Sequence, residues 1–269
     1  MGSRRRILMP VPDHDFDVTE VAVPWRLLTR AGHEVVFATE HGARPEADPR
    51  LLTGVIFGQL GADAEPKMFY RELERSPGFD RPITWDAIDP GAYDGLYLAG
   101  GHAPGMRQYL GSAELQQKVA AFWRLERPVA AICHGVLVLA RTKDEATGES
   151  VIARARTTCL PGYMERTAYF LTAWKLGGYY RTYPEYVEAE VRAALRSPEA
   201  QFVRGKRTLV ARGTEQDDRA AQVVEDGRYL SARWPGDAYL LARKFRELLE
   251  ARPAVADQRA SGAAKAQLA

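Results

Sequence analysis

The sequence predicts an α/β fold in which a mostly parallel, doubly wound sheet is covered by helices on both faces. Short apolar runs alternate along the chain with segments of helical periodicity, as crossover helices between parallel strands require. The 269 residues, with 46% hydrophobic and 27% charged side chains, fall in the range of globular proteins that bury a large core.

The first half of the chain reads as a βαβ series. Residues 4–11 (RRILMPVP) form an apolar run typical of a buried strand. A helix is predicted at 19–32, with Pro24 in its first turn and Gly32 as its C-terminal stop. Further apolar runs predict strands at 33–39, 94–101 and 128–135, and an amphipathic pattern predicts a helix at 114–126.

The second half is less regular. Residues 42–90 interrupt the alternation and are expected to be an insertion of loops and short helices, either surface decoration or a lid. Residues 163–195 are rich in aromatic side chains at partly helical spacing, which favours packing or an oligomer face over pocket lining. Strands are predicted at 208–213 and 228–235, and a closing helix at 237–252. We therefore expect one domain over residues 1–252 and a disordered tail at 253–269.

Charge and cysteine content narrow the function classes. The 37 basic and 35 acidic residues are interleaved along the chain, so no nucleic-acid partner is expected. No apolar stretch approaches the roughly 18 residues that would span a bilayer, so no membrane partner is expected either. Two cysteines, Cys133 and Cys159, favour a reducing, cytoplasmic setting over a disulfide framework. The N-terminal residues lack the apolar core of a secretory signal.

Three loops that follow predicted strands carry the candidate site, because ligands of doubly wound sheets bind at the carboxyl ends of the strands. In AICHG an apolar strand runs into Cys133 and His134, and Gly135 permits a sharp turn into the next helix. This is the pattern of a nucleophile elbow, in which backbone N–H groups at the helix start favour a thiolate. The alternative is an inert core thiol.

The other two loops supply glycines and a carboxyl group. Gly100 and Gly101 allow close backbone approach to a substrate, and an N–H from this loop could pair with that of His134 as an oxyanion hole. His102 is either a pocket-lining donor or a solvated loop residue. Glu20 lies among apolar neighbours, where desolvation would raise its pKa, or else it is an exposed residue at a helix start. No metal site is predicted.

These segments carry a family resemblance. EVAVPWRLLTRAGHEVVFA (20–38), LYLAGGHAPG (96–105) and AAICHG (130–135) resemble, in that order, the ThiJ/PfpI superfamily, whose flavodoxin-like fold is shared with class I glutamine amidotransferases. The resemblance covers about residues 4–250 and is strongest to the larger members near the chaperone and glyoxalase III branch. It implies a homodimer without a cofactor.

The resemblance also implies roles for individual residues. Cys133 would be the nucleophile, Glu20 the carboxyl partner of its sulfur, and the N–H groups of Gly101 and His134 the oxyanion donors. His134 would be the general base, which requires that the elbow turn its ring back over the sulfur, since adjacent residues on a regular helix do not face each other. Glu165 is the candidate for the third, orienting member by its approximate position.

The function implied is a cysteine-dependent enzyme acting on a small carbonyl compound, with conversion of an α-oxoaldehyde to a hydroxy acid favoured. A thiol hydrolase or hydratase of an amide, nitrile or isonitrile would use the same elbow. A third alternative is a non-enzymatic stress protein, either a holdase chaperone or a redox sensor that oxidises Cys133. Exposed aromatic surface at 163–186 would favour the holdase.

Overall fold

The computed structural model describes residues 3–55, 61–208 and 210–255. The strands are β1 (Arg6–Pro10), β2 (His14–Phe16), β3 (Glu34–Thr39), β4 (Glu46–Ala47), β5 (Ile83–Thr84), β6 (Gly95–Leu98), β7 (Val129–Ile132), β8 (Val223–Asp226) and β9 (Tyr229–Ala232). The helices are α1 (Val18–Arg30), α2 (Pro49–Thr53), α3 (Ala64–Leu73), α4 (Pro77–Asp80), α5 (Met106–Gly111), α6 (Ala113–Trp123), α7 (Val136–Arg141), α8 (Gly162–Leu176), α9 (Val187–Ala193), α10 (Pro198–Gln201) and α11 (Ala238–Glu250).

The described residues form a seven-stranded sheet with the order β5-β3-β1-β6-β7-β9-β8. Its neighbouring strands are parallel except for the antiparallel pair β8–β9 at one edge. Strands β6 and β7 are buried along their whole length, as parallel strands covered on both faces must be. Helix α1 packs against α3 and α11. The predicted doubly wound, mostly parallel α/β fold is therefore confirmed.

Helix α1 begins where a capping side chain places it. The Asp17 carboxylate accepts hydrogen bonds from the backbone N–H groups of Thr19 and Glu20, so the helix starts at Val18. Pro24 therefore lies beyond the first turn, and its predicted position there was wrong. The early start puts Glu20 on the first turn of α1, at the carboxyl end of β1.

The predicted insertion at 42–90 is partly integrated into the fold. Its β5 pairs with β3 at the sheet edge, and its α3 packs on α1. Residues 56–60 lie outside the described residues, and the lid role stays a prediction.

Two predictions for the C-terminal part need correction. The described residues of the predicted strand at 208–213 are not in a strand, and the antiparallel β8 takes the edge beside β9 instead. The start of the predicted disordered tail is packed, since Ala254 is buried and the backbone N–H of Val255 donates to the Asp94 carboxylate at 2.6 Å. Residues 256–269 lie outside the described residues.

The aromatic-rich segment at 163–195 forms α8, α9 and the loop between them. Tyr180 in that loop is buried, whereas Phe170 and Trp174 on α8 are 70% and 69% exposed. The segment thus contributes both to packing and to an exposed face. Among the helices described, none is long and apolar enough to span a bilayer. The single domain at 1–252 stays a prediction.

Candidate active site

Cys133 lies in the sharp turn between β7 and α7. Its φ of 58° is in the left-handed region, and Cys133–Gly135 form one 3₁₀ turn. A Cβ at Gly135 would lie 2.3 Å from the carbonyl oxygen of Leu98 and 2.6 Å from that of Ala99. Only glycine therefore allows α7 to start this close to the end of β6. The structure places Cys133 on the elbow that the sequence predicted.

The elbow turns the His134 ring back over the sulfur. The His134 Nδ1 atom lies 3.5 Å from the Cys133 Sγ atom, and its Nε2 atom lies 3.3 Å from the Thr182 hydroxyl. That hydroxyl donates its proton to the carbonyl oxygen of His102 at 2.6 Å. Because the single hydroxyl proton is used there, the Thr182 oxygen accepts from Nε2–H, and this tautomer leaves the Nδ1 lone pair for the thiol.

Thr182, and not Glu165, therefore orients the imidazole. The Glu165 carboxylate accepts a hydrogen bond from the backbone N–H of Val187, the first residue of α9, at 3.0 Å. Within the described residues it forms no hydrogen bond with His134, so the predicted orienting role was wrong. The physical reason is that α8 packs against α9, whose free N-terminal N–H groups take up the carboxylate. Burial raises the pKa of Glu165 to about 7.

Cys159 lies near Glu165 and is separate from the candidate site. Both cysteines are free and buried. Burial raises the pKa of Cys159 well above its usual range, and the negative charges of Glu188 and Glu165 add to this effect. Cys159 is therefore a buried neutral thiol.

Glu20 reaches the elbow through the loop that follows β6. Its buried carboxyl group accepts a hydrogen bond from the backbone N–H of Gly100 at 2.8 Å, and the Gly100 carbonyl accepts one from the Asp17 N–H at 2.9 Å. A Cβ at Gly100 would lie 2.7 Å from the backbone nitrogen of His134 and 2.9 Å from Glu20 Oε2. The missing side chain at Gly100 thus lets this loop pass between α1 and the elbow.

The surroundings of Glu20 favour its protonated form. Burial, followed by the charge of Asp17, raises the pKa of Glu20 well above its usual range. Burial also raises the pKa of Asp17 to about 6. Glu20 Oε2 is engaged by the Gly100 N–H, and within the described residues the buried Oε1 has no hydrogen-bond partner. The direction of this pKa shift is the one the sequence predicted.

The Cys133 sulfur is held as a thiol. Burial raises the pKa of Cys133 well above its usual range, and the charges of Glu20 and Asp17 add to this, while a hydrogen bond from the backbone N–H of His134 opposes it. The expectation that the helix start favours a thiolate was therefore wrong, because desolvation of a side chain that is 1% exposed outweighs the dipole of a short helix.

The imidazole of His134 is neutral. Burial, the neighbouring His102 and the charge of Arg141 lower the pKa of His134 well below its usual range. A neutral thiol thus faces a neutral imidazole across 3.5 Å. This arrangement would allow the thiol proton to pass to His134 during an attack by Cys133, without a preformed thiolate.

His102 and the aromatic segment cover the site. The His102 ring packs edge to face on His134, with ring centroids 4.6 Å apart, and on Tyr180 at 6.0 Å. Burial lowers the pKa of His102 to about 4. The hydroxyl groups of Tyr180 and Tyr179 donate to the buried Asp48 carboxylate at 2.9 and 3.3 Å. The insertion that contains Asp48 and the aromatic segment therefore meet above the elbow.

The contacts between the insertion and the aromatic segment that cover the elbow were not predicted from the sequence. Asp48 and Pro49 form a helix-start signal that could have located α2. No local signal connects Asp48 to Tyr180, or Thr182 to His134, because each pair is far apart in the sequence. The oxyanion roles predicted for Gly101 and for the His134 N–H stay predictions.

Among the described residues, two groups of side chains have the donor atoms to hold a metal ion. In one, the side-chain donor atoms of His102, Cys133 and His134 lie within 4.8 Å of one another, a combination of sulfur and nitrogen that suits Zn²⁺. The other is the more exposed group of Asp13, Glu40 and His41. The first group coincides with the candidate catalytic residues, so a metal held there would compete with their chemistry.

Comparison with known proteins identifies the family. The family model described as ThiJ/PfpI family-like matches residues 11–205. The chain belongs to this family. The match includes all three loops of the site and confirms the resemblance seen in the sequence.

The relatives of this ThiJ/PfpI chain are distant in sequence. An uncharacterised protein of Schizosaccharomyces pombe is 29% identical over 261 residues, covering 92% of this chain and 86% of that protein. Deglycase PfpI of Pyrococcus furiosus is 24% identical over 238 residues, covering 88% of this chain and 95% of the deglycase. The crystal structure of glyoxalase III from Candida albicans has a TM-score of 0.66 at 18% identity, covering 92% of this chain and 98% of that chain.

Proposed function

We propose that this ThiJ/PfpI protein is a cysteine-dependent enzyme that converts a small α-oxoaldehyde to a 2-hydroxy acid without a redox cofactor. The observation that carries the proposal is the neutral His134 imidazole, 3.5 Å from the Cys133 sulfur and set in one tautomer by Thr182. The glyoxalase III and deglycase names of its relatives support chemistry of this type.

The first step forms a carbon–sulfur bond. The Cys133 sulfur attacks the aldehyde carbon while the thiol proton moves to His134 Nδ1, and the same proton then passes to the aldehyde oxygen to give a hemithioacetal. A protonated Glu20 carboxyl group close to the sulfur would stabilise the negative charge that develops there during the attack. The backbone N–H of His134 lies beside the same atom.

The second step moves hydrogen between the two oxygen-bearing carbons. His134, neutral again, removes the hydrogen of the former aldehyde carbon as a proton, and the electron pair forms an enediolate. The hydroxyl proton on the former aldehyde oxygen moves to the neighbouring oxygen, and return of the abstracted proton to the neighbouring carbon gives a 2-hydroxy thioester of Cys133. Water then cleaves the thioester to the 2-hydroxy acid and the free thiol. The net change is addition of one water, so neither an oxidant nor a reductant is consumed.

Burial of the sulfur limits what can react. Cys133 is 1% exposed, and His102 and Tyr180 lie over the elbow. A substrate therefore reaches the sulfur only when these side chains move, which favours a molecule of a few carbon atoms over a large one.

The test is consumption of methylglyoxal with a chiral assay for lactate. Wild type should turn over, and Cys133→Ala and His134→Ala should not. Cys159→Ala is the matched control, because it removes the other buried thiol and should retain turnover. An inactive wild type, or an active Cys133→Ala variant, would reject the proposal and redirect the search to amides, nitriles and isonitriles.

A holdase function is a second candidate, favoured by one observation. Phe170, Leu171 and Trp174 are exposed on α8, and clustered apolar side chains of this kind bind unfolded chains or a second subunit. Suppression of aggregation of a heated client protein by wild type, lost in Trp174→Ser and kept in Cys133→Ala, would support it. Light scattering of the same variants tests the predicted homodimer, which a monomeric wild type would contradict.

A further inference from the structure

A cleft outside the candidate active site lies between α8, α9 and the chain that follows α10. Its volume is about 340 Å³. Of the described side chains, its most polar lining residues are Tyr163, Arg166, Tyr186, Arg192, Arg204 and Arg207. Glu188 is the carboxylate in this lining. Four guanidinium groups thus share a small cleft with one carboxylate.

The positive charge of the cleft is only partly neutralised. Arg204 pairs with Glu188, whose side chain is 8% exposed. Arg192 pairs with Glu199, which is 90% exposed and outside the lining. Within the described part of the chain, Arg166 and Arg207 form no ion pair with an acidic side chain.

Two tyrosine rings lie near the guanidinium groups of Arg166 and Arg207, which form no ion pair within the described residues. The Arg166 guanidinium carbon lies 5.5 Å from the ring centroid of Tyr186, and that of Arg207 lies 5.5 Å from the ring centroid of Tyr163. Arg166 Nε also donates to the Gly162 carbonyl at 3.3 Å. A cation–π contact of this kind favours one position of the guanidinium group and leaves its other N–H donors available.

This clustering differs from the rest of the chain, in which basic and acidic side chains are interleaved and nearly balance. Guanidinium groups in one cleft repel each other unless an anion lies between them. Their forked donors match the oxygen atoms of a phosphate group, which can accept from several arginines at once. We propose that this cleft binds a small phosphate monoester, at a site separate from Cys133.

The test is isothermal titration of the full-length Cys133→Ala protein with glycerol 3-phosphate at low ionic strength. This variant removes chemistry at the elbow, so the result does not depend on the proposed function. We expect saturable binding that weakens with added salt and no binding of glycerol. Titration with succinate tests whether a dicarboxylate binds in the same way, and we expect it to bind more weakly than the phosphate ester.

Substitutions in the cleft complete the test. Arg166→Gln and Arg207→Gln should each weaken binding about tenfold, the loss expected for one charge-assisted hydrogen bond. Arg71→Gln on α3 is the matched control, since Arg71 is also exposed, and it should leave binding unchanged. If a thermal melt shows that a glutamine variant is not folded, Arg166→Lys can replace it. Lysine keeps the positive charge without the forked donors of the guanidinium group, and this variant should bind with intermediate affinity.

Three results would overturn the inference. The first is equal binding of glycerol and glycerol 3-phosphate. The second is unchanged phosphate binding in the folded double variant of Arg166 and Arg207. The third is a change in oligomeric mass caused by these substitutions without an effect on phosphate binding, which would make the cleft a subunit contact.

Discussion

Replacing Thr182 with valine would test the link between the His134 tautomer and reactivity. Valine keeps the branched shape of the buried threonine but removes its hydroxyl group. In the native site this hydroxyl accepts from His134 Nε2–H across 3.3 Å and donates to the His102 carbonyl across 2.6 Å. Thr182→Val leaves both groups without these partners in a buried site.

The size of the effect follows from those two hydrogen bonds. Each buried polar group left without a partner costs about 1–3 kcal/mol. The imidazole can avoid part of this cost by changing tautomer or rotating, and either response moves the basic nitrogen away from the thiol. A loss of orientation worth about 1.4–2.8 kcal/mol corresponds to a fall in kcat/KM of about 10- to 100-fold.

The assay combines two readouts. Turnover of methylglyoxal reports the complete reaction, and the rate of Cys133 alkylation by iodoacetamide reports proton removal from the thiol alone. Thr182→Ser restores the hydroxyl and should recover both rates. If Thr182→Val reacts at the wild-type rate in both assays while melting at a lower temperature, the hydroxyl is only structural and the reasoning is refuted.

Four further substitutions test other parts of the structure. Cys133→Ala should abolish turnover with an unchanged circular dichroism spectrum, and full activity would eliminate thiol chemistry. Glu20→Gln should lower the Cys133 pKa, because the Glu20 carboxyl group is one of the causes that raise it, and should slow turnover about tenfold, because an amide N–H is a weaker donor than a carboxylic acid; an unchanged alkylation-versus-pH curve together with unchanged turnover would remove Glu20 from its role. The pKa of Glu165, about 7 against an ordinary value of 4.5, means that the folded state binds this proton more tightly than the unfolded chain. The free energy of unfolding should therefore fall as pH rises through this window, and Glu165→Gln should remove about 3 kcal/mol of that fall in urea titrations while keeping turnover. Gly135→Ala should lower Tm by about 5–10 °C because its Cβ meets backbone carbonyls, whereas Gly178→Ala, with open space around it, should not.

The central sheet could be predicted from sequence because its strands are buried on both faces. The runs that became β1, β3, β6 and β7 are almost entirely apolar, and such runs carry their own signal. Edge elements have no such signal. The two-residue β5 and the half-exposed β8 depend on pairing with neighbours, and the described residues of 208–213 pair with no strand.

The candidate site also contains residues whose position could be predicted from the sequence and residues whose position could not. Cys133, Glu20 and Gly100 follow strands or begin helices, so topology alone places them at one edge of the sheet. Thr182 comes from an irregular loop, whose path depends on how α8 packs. The expected thiolate form of Cys133 was wrong for a related reason. The pKa of the thiol depends on how deeply the side chain is buried, and the tertiary fold, not the local motif, determines that depth.

The left-handed backbone of Cys133 also affects how the protein should lose activity on heating. A residue with a Cβ is held in this conformation at a cost of about 1–2 kcal/mol. The surrounding constraint comes from fully buried strands and from carbonyl oxygens that tolerate only glycine at Gly135. Because the elbow is held by these buried strands, we expect its backbone to change conformation only when the strands unfold. Reactivity of Cys133 should therefore persist up to the global unfolding transition and disappear together with it.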